Sequence, residues 1–276
     1  MSTALGSWVD GVSGSVLPVD DRGLQYGDGV FETVLVRGKR ARFLEAHLQR
    51  LSRGCARLGI ATDFLPLLRA EIDAAIAVAP SLAILKILMT RGRARRRGYA
   101  PQGDETPRRL LSLWPAPPAD AALDQGVTLH VASIRLGENP VLAGIKHLNR
   151  LENVLAAAEA SSRDAFDSLL LDTSGNIVSG AMSNVFIVRA GSVITPRIDR
   201  CGVAGVMRGI VLRECTALGL ASAEERLVLD DLFSSSAVFI TNARIGVVPV
   251  RRVGEHSFAM NDLTRRLAAH IESLDA

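Results

Sequence analysis

The stretch Leu142-Ala143-Gly144-Ile145-Lys146-His147-Leu148-Asn149-Arg150-Leu151-Glu152 has at its centre a lysine, in a chain that hardly uses lysine. The 276 residues include 32 lysines and arginines, but only Lys39, Lys86 and Lys146 are lysines. Lys39 lies in an apparent hairpin turn and Lys86 interrupts an apolar run, whereas Lys146 precedes an apparent helix. An amine, unlike a guanidinium, can lose its proton and form a Schiff base with a carbonyl compound. The alternative interpretation of Lys146 is a partly solvated surface lysine.

Other segments agree with one enzyme family in order and spacing. They are residues 21–33, 47–51, 97–99, 183–186, 202–208 and 241–243. Together with the Lys146 segment they resemble the aminodeoxychorismate lyase branch of the pyridoxal-phosphate (PLP) enzymes of fold type IV. This superfamily also contains the branched-chain and D-amino-acid aminotransferases. The segment Tyr26-Gly27-Asp28-Gly29-Val30-Phe31-Glu32 is typical of the whole superfamily, and Lys-His-Leu-Asn-Arg-Leu-Glu at 146–152 is more specific to the lyase branch.

The resemblance implies a fold, a cofactor and a reaction. The fold is a two-domain α+β arrangement of the D-amino-acid aminotransferase type, with the cofactor between the domains, and the protein is a homodimer. The reaction is the conversion of 4-amino-4-deoxychorismate to 4-aminobenzoate and pyruvate in folate biosynthesis. A PLP-dependent aminotransferase of D- or branched-chain amino acids is the nearest alternative, because the superfamily segments fit it, although the segment at 146–152 and Ser179 fit it less well.

The resemblance also assigns roles to particular residues. Lys146 is the amine that holds the cofactor aldehyde and then transfers a proton, and Thr33 presents a hydroxyl near it for proton relay. As a β-branched strand residue, Thr33 has simple β preference as its alternative role. The resemblance further gives a set of phosphate contacts, which are Arg50, Val206, Met207, Thr241 and Asn242. Periodicity alone predicts something different for Arg50, because it falls about 120° from the apolar stripe of its helix and should be solvated.

The partner of the pyridine nitrogen is where the sequence departs from its relatives. In the superfamily a glutamate usually stands five residues before the asparagine of the Ser-Asn-Val-Phe segment, and counting back from Asn184 gives Ser179. Both residues belong to the predicted cofactor-binding set. A serine hydroxyl can hydrogen-bond the nitrogen but supplies no negative charge. This predicts a weaker electron sink, which should impair transamination more than an elimination whose product is aromatic.

Three residues are candidates for substrate binding. Tyr26 lies in a glycine-rich segment and either lines the pocket or packs in the core. Arg97 and Tyr99 can bind the carboxylates of a chorismate-like molecule, or they belong to a mobile loop. They end a dense basic run that starts at Arg91, and such a run can also bind a phosphate backbone. An RNA-binding protein is therefore a low-ranked alternative, since Tyr99 is the only aromatic residue near the run.

Composition limits the remaining possibilities. The net charge is +3 with a pI near 9.0, which is too mildly basic to require a nucleic-acid partner. Three widely spaced cysteines show no metal-ligand spacing and favour a reducing compartment. The first ten residues lack the basic and apolar regions of a signal peptide, and no apolar run is long enough to cross a membrane. We therefore expect a cytoplasmic protein with no metal, nucleic-acid or membrane partner.

The order of predicted elements gives the domain organisation. Strands and helices alternate irregularly, which favours an α+β protein over a doubly wound nucleotide fold, and no Gly-x-Gly-x-x-Gly segment follows a strand. Prolines 115, 117 and 118 hold the chain extended. We therefore place a smaller N-terminal domain at residues 1–113, a linker at 114–124 and a larger PLP-binding domain at 125–276. Residues 20–29 are expected to form a loop, and the leucines at 148, 151 and 155 with Ala158 to mark a helix.

Overall fold

The computed structural model describes residues 3–14, 16–94, 96–117 and 121–274. The chain divides into two compact units. Unit 1 comprises residues 1–118 together with 145–149, and unit 2 comprises residues 119–144 together with 150–276.

Unit 1 is built on a six-stranded sheet in the order β2-β1-β6-β5-β3-β4, with all neighbours antiparallel. Its strands are β1 (Gly6–Val9), β2 (Val12–Ser13), β3 (Gly29–Arg37), β4 (Arg40–Ala41), β5 (Leu82–Thr90) and β6 (Arg108–Pro115). The central strands β3 and β5 are nine residues each and rich in β-branched and aliphatic residues, which pack well on a pleated surface.

Three helices accompany this sheet, namely α1 (Arg22–Tyr26), α2 (Leu44–Leu58) and α3 (Leu65–Ala77). The apolar stripe of α2 buries Leu48, Leu51 and Cys55, as its 3.6-residue period predicts. The stripe packs with α3 against one face of the sheet, where alternate residues of β3 and β5 form the core. We call this side the covered face and the opposite side the open face.

The Lys146 segment belongs to unit 1, although its sequence position suggested the C-terminal domain. It runs alongside the start of β3, where the Phe31 N–H donates to the Lys146 carbonyl at 2.9 Å and the Leu148 N–H donates to the Gly29 carbonyl at 3.0 Å. Backbone pairing over a long sequence separation is invisible to local periodicity. The sheet also reaches further than expected, because β6 continues through Pro115 into the predicted linker. Residues 118–120 of that linker lie outside the described residues.

Unit 2 contains a nine-stranded mixed sheet in the order β12-β11-β10-β13-β14-β7-β8-β9, with β15 paired to β14. Its strands are β7 (Val127–Leu136), β8 (Asp167–Asp172), β9 (Ile177–Gly180), β10 (Asn184–Arg189), β11 (Ser192–Pro196), β12 (Ser222–Glu225), β13 (Ala237–Asn242), β14 (Gly246–Val253) and β15 (His256–Ser257). A 3-10 helix at Ala121–Gln125 precedes it. The α-helices are α4 (Leu151–Ser162), α5 (Val206–Ala217), α6 (Leu229–Phe233) and α7 (Asp262–Ser273). At the centre of the sheet, Phe186 and Phe239 stack at 4.8 Å.

Two local predictions are corrected by the structure. Residues 20–29 are not all loop, because the Asp21 carboxylate caps α1 by accepting from the Gly23 N–H at 2.8 Å. In α4 the helix exists, but the leucine stripe does not face the core. Leu151 is 79% and Leu155 54% exposed, and the buried positions are Ala156 and Ala160. Small residues on the inner side let the helix lie close to β7 and β8, which leaves the large apolar residues outside.

The connection between β5 and β6 is closed at its base. Gly92 has a φ of +97°, and a Cβ there would lie 2.0 Å from the Thr106 carbonyl oxygen. Only glycine allows both the backbone conformation and this approach. In the described part of the chain, no helix is long and apolar enough to cross a membrane.

Candidate active site

The open face of unit 1 carries the Lys146 amine. The Nζ atom lies 4.3 Å from the centroid of the Phe31 ring, which projects from β3 on that face. The backbone pairing of the Lys146 segment with β3 fixes where this side chain starts. A sheet edge is a rigid support for a reactive group, and rigidity is what a covalent catalytic residue requires.

Thr33 and Lys86 share the open face with Phe31. They are direct cross-strand partners on β3 and β5, and Ser112 on β6 pairs with Lys86 in the same row. Directly opposed residues place their Cβ atoms about 4.5–5.5 Å apart. The Lys86 amine also lies over the Phe31 ring, 5.5 Å from its centroid. The open face therefore brings an aromatic ring, a hydroxyl and two amines close together in space.

The covered face carries a buried charge cluster around Glu32. The Arg50 guanidinium donates to both carboxylate oxygens of Glu32, with Nε–Oε1 at 2.7 Å and Nη2–Oε2 at 2.5 Å. His47 Nδ1 lies 2.6 Å from Oε2. Burial would raise the pKa of Glu32, but the charge of Arg50 and the hydrogen bonds from Arg50 and His47 outweigh it, so this pKa lies below its ordinary value. The carboxylate is therefore ionised and holds the guanidinium in one orientation.

This cluster overturns the expectation from periodicity that Arg50 is solvated. Only 8% of Arg50 is exposed, because Glu32 on β3 draws the side chain under the sheet. Glu32 and His47 were missed as site residues. The sequence does contain a signal for Glu32. It stands two residues from Val30 and from Val34, so on a strand its side chain points to the same face as these two apolar residues. A carboxylate in such a position requires a buried positive partner.

In unit 2 the predicted phosphate contacts converge at the start of α5. Asn184 and Thr241 pair across β10 and β13, and the Asn184 amide donates to the Val203 carbonyl at 2.9 Å. A Cβ at Gly205, the N-cap of α5, would lie 2.0 Å from Asn184 Oδ1. Glycine is therefore required for this approach. The first-turn N–H groups of α5, those of Val206 and Met207 included, have no acceptor within the helix and suit an anion.

The side chains of Thr241 and Asn242 are already engaged in holding their own turn. The Thr241 hydroxyl donates to the Gly246 carbonyl at 2.6 Å. Asn242 Oδ1 accepts from the N–H groups of Arg244 and Ile245, and its amide donates to the Met182 carbonyl. The predicted role of these two residues in phosphate binding stays a prediction.

Ser179 is buried on β9, and its hydroxyl donates to the Gly180 carbonyl at 2.9 Å. Its oxygen keeps lone pairs that can accept a hydrogen bond. The following turn is braced by Asp167, whose carboxylate accepts from the Ser183 hydroxyl at 2.7 Å and from the Ala181 N–H at 3.0 Å. Burial raises the pKa of Asp167 against the lowering effect of these donors. The turn that follows Ser179 is therefore held in place by hydrogen bonds to one buried carboxylate.

The predicted substrate-binding residues are partly brought together. The rings of Tyr26 and Tyr99 lie 5.3 Å apart, and Arg22 donates to the carbonyls of Gly98 and Tyr99 at 3.1 Å and 2.5 Å. Arg22 thus connects this part of the basic run to α1. The side chains of Arg97 and Tyr99 are exposed.

Two arginines of the basic run are engaged in ion pairs. Arg91 is buried and donates to Asp28 and to the carbonyls of Leu58 and Gly59, and Arg93 forms a paired contact with Asp20. Arg95 lies outside the described residues. With Arg91 and Arg93 paired to carboxylates, the basic run carries less unbalanced positive charge than the sequence suggests, so the geometry does not favour the RNA-binding alternative.

The residue set fits pyridoxal phosphate. The cofactor needs an amine for its aldehyde, donors for a phosphate dianion and a neighbour for its ring nitrogen. Unit 1 holds Lys146 and the oriented guanidinium of Arg50. Unit 2 holds the glycine-dependent N-terminus of α5 and the hydroxyl of Ser179. In the described residues, no group of three or more histidine, cysteine, aspartate or glutamate side chains could hold a metal ion.

An amine on unit 1 and a glycine-dependent helix N-terminus on unit 2 are the features that a PLP enzyme of fold type IV requires. The chain belongs to the amino-transferase class IV family, whose sequence profile matches residues 29–253. It is 34% identical over 273 residues to the aminodeoxychorismate lyase of Vibrio harveyi, covering 96% of this chain and 99% of that protein. It is 30% identical to a putative branched-chain-amino-acid aminotransferase of Methanocaldococcus jannaschii, covering 89% and 85%.

A solved structure agrees with this assignment. The crystal structure of 4-amino-4-deoxychorismate lyase from Pseudomonas aeruginosa matches with a TM-score of 0.93 at 42% identity, covering 98% of this chain and 100% of that one. The family resemblance and the α+β fold type IV predicted from the sequence are therefore confirmed.

Proposed function

We propose that the protein is a PLP-dependent lyase that converts 4-amino-4-deoxychorismate to 4-aminobenzoate and pyruvate. The observation that carries this is the full-length match to an enzyme named for that substrate, at 42% identity, together with the Lys146 amine beside Phe31. The lyase-specific segment at 146–152 supports the same conclusion.

The protein's own groups then divide the work. When bound, the cofactor supplies an aldehyde for the substrate amine and a ring that withdraws electrons. Lys146 would remove the proton from the amine-bearing carbon of the substrate. Thr33 offers a hydroxyl on the same face for proton relay. Arg50, held by Glu32, and the N-terminus of α5 bind the phosphate dianion. Departure of the enolpyruvyl oxygen leaves an aromatic ring, which lowers the barrier without further help from the protein.

Ser179 biases the reaction toward elimination. A glutamate would hold the ring nitrogen protonated, whereas the serine oxygen brings no charge. Transamination needs the electron pair to be stored and reprotonated elsewhere, so it suffers more than an aromatising elimination. We expect Ser179→Glu to shift the cofactor spectrum and to increase transamination relative to elimination. A variant with an unchanged spectrum and unchanged partition would contradict this role.

The direct test is to mix purified protein and PLP with 4-amino-4-deoxychorismate. We expect pyruvate and 4-aminobenzoate in equal amounts, with pyruvate measured by a coupled dehydrogenase. A visible absorbance band that borohydride traps on a peptide containing Lys146 would identify the reactive amine. Absence of pyruvate from a protein that shows this band would reject the proposed reaction while leaving the cofactor assignment intact.

An aminotransferase of D- or branched-chain amino acids is the second candidate, because the relative from Methanocaldococcus jannaschii is named for such an activity. This alternative makes a distinct prediction. Mixing the enzyme with D-alanine or an L-branched-chain amino acid should convert the cofactor to its pyridoxamine form within a few turnovers. The lyase assignment predicts that this conversion is slow compared with pyruvate release.

We propose that the enzyme works in the cytoplasm as a homodimer. All three cysteines are free and buried, which suits a reducing compartment. Leu151, Val154 and Leu155 on α4 are 79%, 60% and 54% exposed and form a contiguous apolar face. We propose that a second copy of the chain covers this face, because enzymes of this fold family form homodimers. Light scattering should give twice the chain mass for the wild type and a lower mass for Leu155→Asp. A monomeric wild type would reject the homodimer. An unchanged mass in the variant would reject this surface as the interface.

A further inference from the structure

Lys86 occupies a position that the fold itself does not require. It lies in the middle of β5, where lysine is depleted among strand residues, and it is exposed among neighbours that are half-buried or buried. In the part of the chain that the structure describes, no carboxylate lies within ion-pair distance of its amine, and its one recorded contact is with the Phe31 ring. It is one of only three lysines among the 32 lysines and arginines of the chain.

The position of Lys86 relative to Lys146 is informative. Both amines lie over the same Phe31 ring, at 5.5 Å and 4.3 Å from its centroid. Their separation therefore cannot exceed those two distances placed end to end. Both amines are therefore close enough to contact one ligand the size of a six-membered ring. Lys86 is also the cross-strand partner of Thr33, the residue proposed for proton relay, so the two side chains are neighbours on the open face.

We propose that Lys86 binds the ring carboxylate of the substrate, opposite the amine that engages the cofactor. This inference deepens the proposed lyase function and rests on it. An ammonium without a carboxylate partner is available for a charged ligand, and a charge-assisted hydrogen bond is about twice as strong as a neutral one. The Phe31 ring, which lies close to both amines, gives the site an aromatic surface for the substrate ring. The carboxylate stays on the product, so Lys86 holds substrate and product alike.

Kinetics provide the first test. We expect Lys86→Met to raise KM for 4-amino-4-deoxychorismate about 10- to 100-fold while kcat changes less than about threefold, because the lost contact is present before and after the chemical step. Lys86→Arg should recover most of the affinity. The matched control is Lys39→Met, which removes another lysine amine; this one donates to the carbonyls of Ala77 and Ala79, away from the site. Its KM should match that of the wild type.

Binding provides the second test and does not depend on turnover. Calorimetry on the PLP-loaded enzyme would compare 4-aminobenzoate with 4-aminobenzamide, which have the same shape but differ in charge. We expect the wild type and Lys39→Met to bind the carboxylate at least about 10-fold more tightly, and Lys86→Met to bind both alike. A wild type that does not discriminate or binds neither ligand, or a Lys86→Met variant that still discriminates, would overturn the proposal.

The outcomes separate this proposal from the reaction it rests on. If the wild type releases no pyruvate, the lyase assignment fails, yet the two benzoyl ligands still report whether Lys86 reads a carboxylate. If the wild type is an active lyase and Lys86→Met keeps its KM, the lyase assignment stands and the Lys86 proposal fails. Far-UV circular dichroism and the thermal midpoint check that each variant is folded. Lys86→Gln repeats the charge removal with a polar side chain.

Discussion

The two faces of the unit 1 sheet carry charged residues in opposite ways. On the covered face, Glu32, Arg50 and His47 are buried and joined by hydrogen bonds. On the open face, the amines of Lys86 and Lys146 lie over an aromatic ring, with Thr33 beside them. Thr33 and Glu32 are adjacent in sequence and point to opposite sides. The covered face thus joins opposite charges in the interior of unit 1, whereas the open face presents its amines beside an aromatic ring.

The largest expected effect is on the open face. Lys146→Ala should lower the rate of pyruvate release by at least about 10³-fold, because it removes both the covalent attachment and the proton acceptor. Its free energy of unfolding should stay close to that of the wild type when both proteins lack cofactor. Lys146→Arg keeps the charge and should be equally inactive. If Lys146→Arg retained the visible absorbance band of the cofactor, another amine would have to be the attachment point.

The matching change on the covered face is Glu32→Gln. We expect it to lower the free energy of unfolding by about 3–5 kcal/mol, because it leaves buried Arg50 without its counter-charge. Urea unfolding measures this directly. Glu45→Gln is the control, since the Glu45–Arg69 pair is exposed and should contribute less than about 1 kcal/mol. Equal costs at the two sites would mean that burial does not decide the strength of these pairs.

The pH dependence of stability sharpens the same contrast. Folding lowers the pKa of Glu32 below its ordinary value of 4.5, so the folded protein holds that proton less tightly than the unfolded chain does. The pair therefore contributes fully above the unfolded pKa, and its contribution is lost as pH falls through that value toward the folded pKa. Between pH 7 and pH 3, the free energy of unfolding in urea should fall less steeply with decreasing pH in Glu32→Gln than in the wild type. Equal slopes would contradict an ionised, stabilised Glu32.

Thr33→Val is a smaller test of the open face. Valine keeps the β-branched shape that suits a strand and removes only the hydroxyl. We expect kcat to fall about 10-fold with little change in the thermal midpoint, as for the loss of one participant in proton transfer. Thr33→Ser keeps the hydroxyl and should restore most of the rate. If Thr33→Val were fully active, the residue would be there for its strand preference alone.

The smallest effect concerns the cysteines. Burial raises the pKa of the Cys55 and Cys201 thiols to about 12, and that of Cys215 to about 11. Thiolate is the reactive form, so the native enzyme should consume almost no maleimide at pH 8 and keep its activity. The unfolded protein should react at all three positions. Rapid labelling of the folded enzyme would show that one of these sites opens to solvent.

Local pattern predicted the elements of this fold but not the pairing between distant ones. The stripe of α2 located its buried face, because packing there follows the 3.6-residue period. The same reasoning failed for α4, where alanines form the inner side and leucines face outward. It also placed Lys146 with the wrong unit, because its neighbour β3 is more than a hundred residues away.

The candidate site shows the same division. The candidate reactive lysine and the predicted phosphate contacts follow from a family resemblance, and the structure adds how those residues are held. Arg50 looked solvated by angle alone, yet Glu32 buries it. Lys86 looked like an interruption in an apolar run, and only the strand register shows that it stands opposite Thr33. Cross-strand neighbours depend on which strands meet, and single-sequence periodicity carries no information on that.

The closed base of the β5–β6 connection has a consequence for how such enzymes diversify. Gly92 packs directly against the Thr106 backbone, so the two ends of the β5–β6 connection lie side by side. Between these ends, Arg22 ties the carbonyls of Gly98 and Tyr99 to α1. The rest of the connection can change in length or character without disturbing the pairing of β5 with β6, provided that the glycine stays in place.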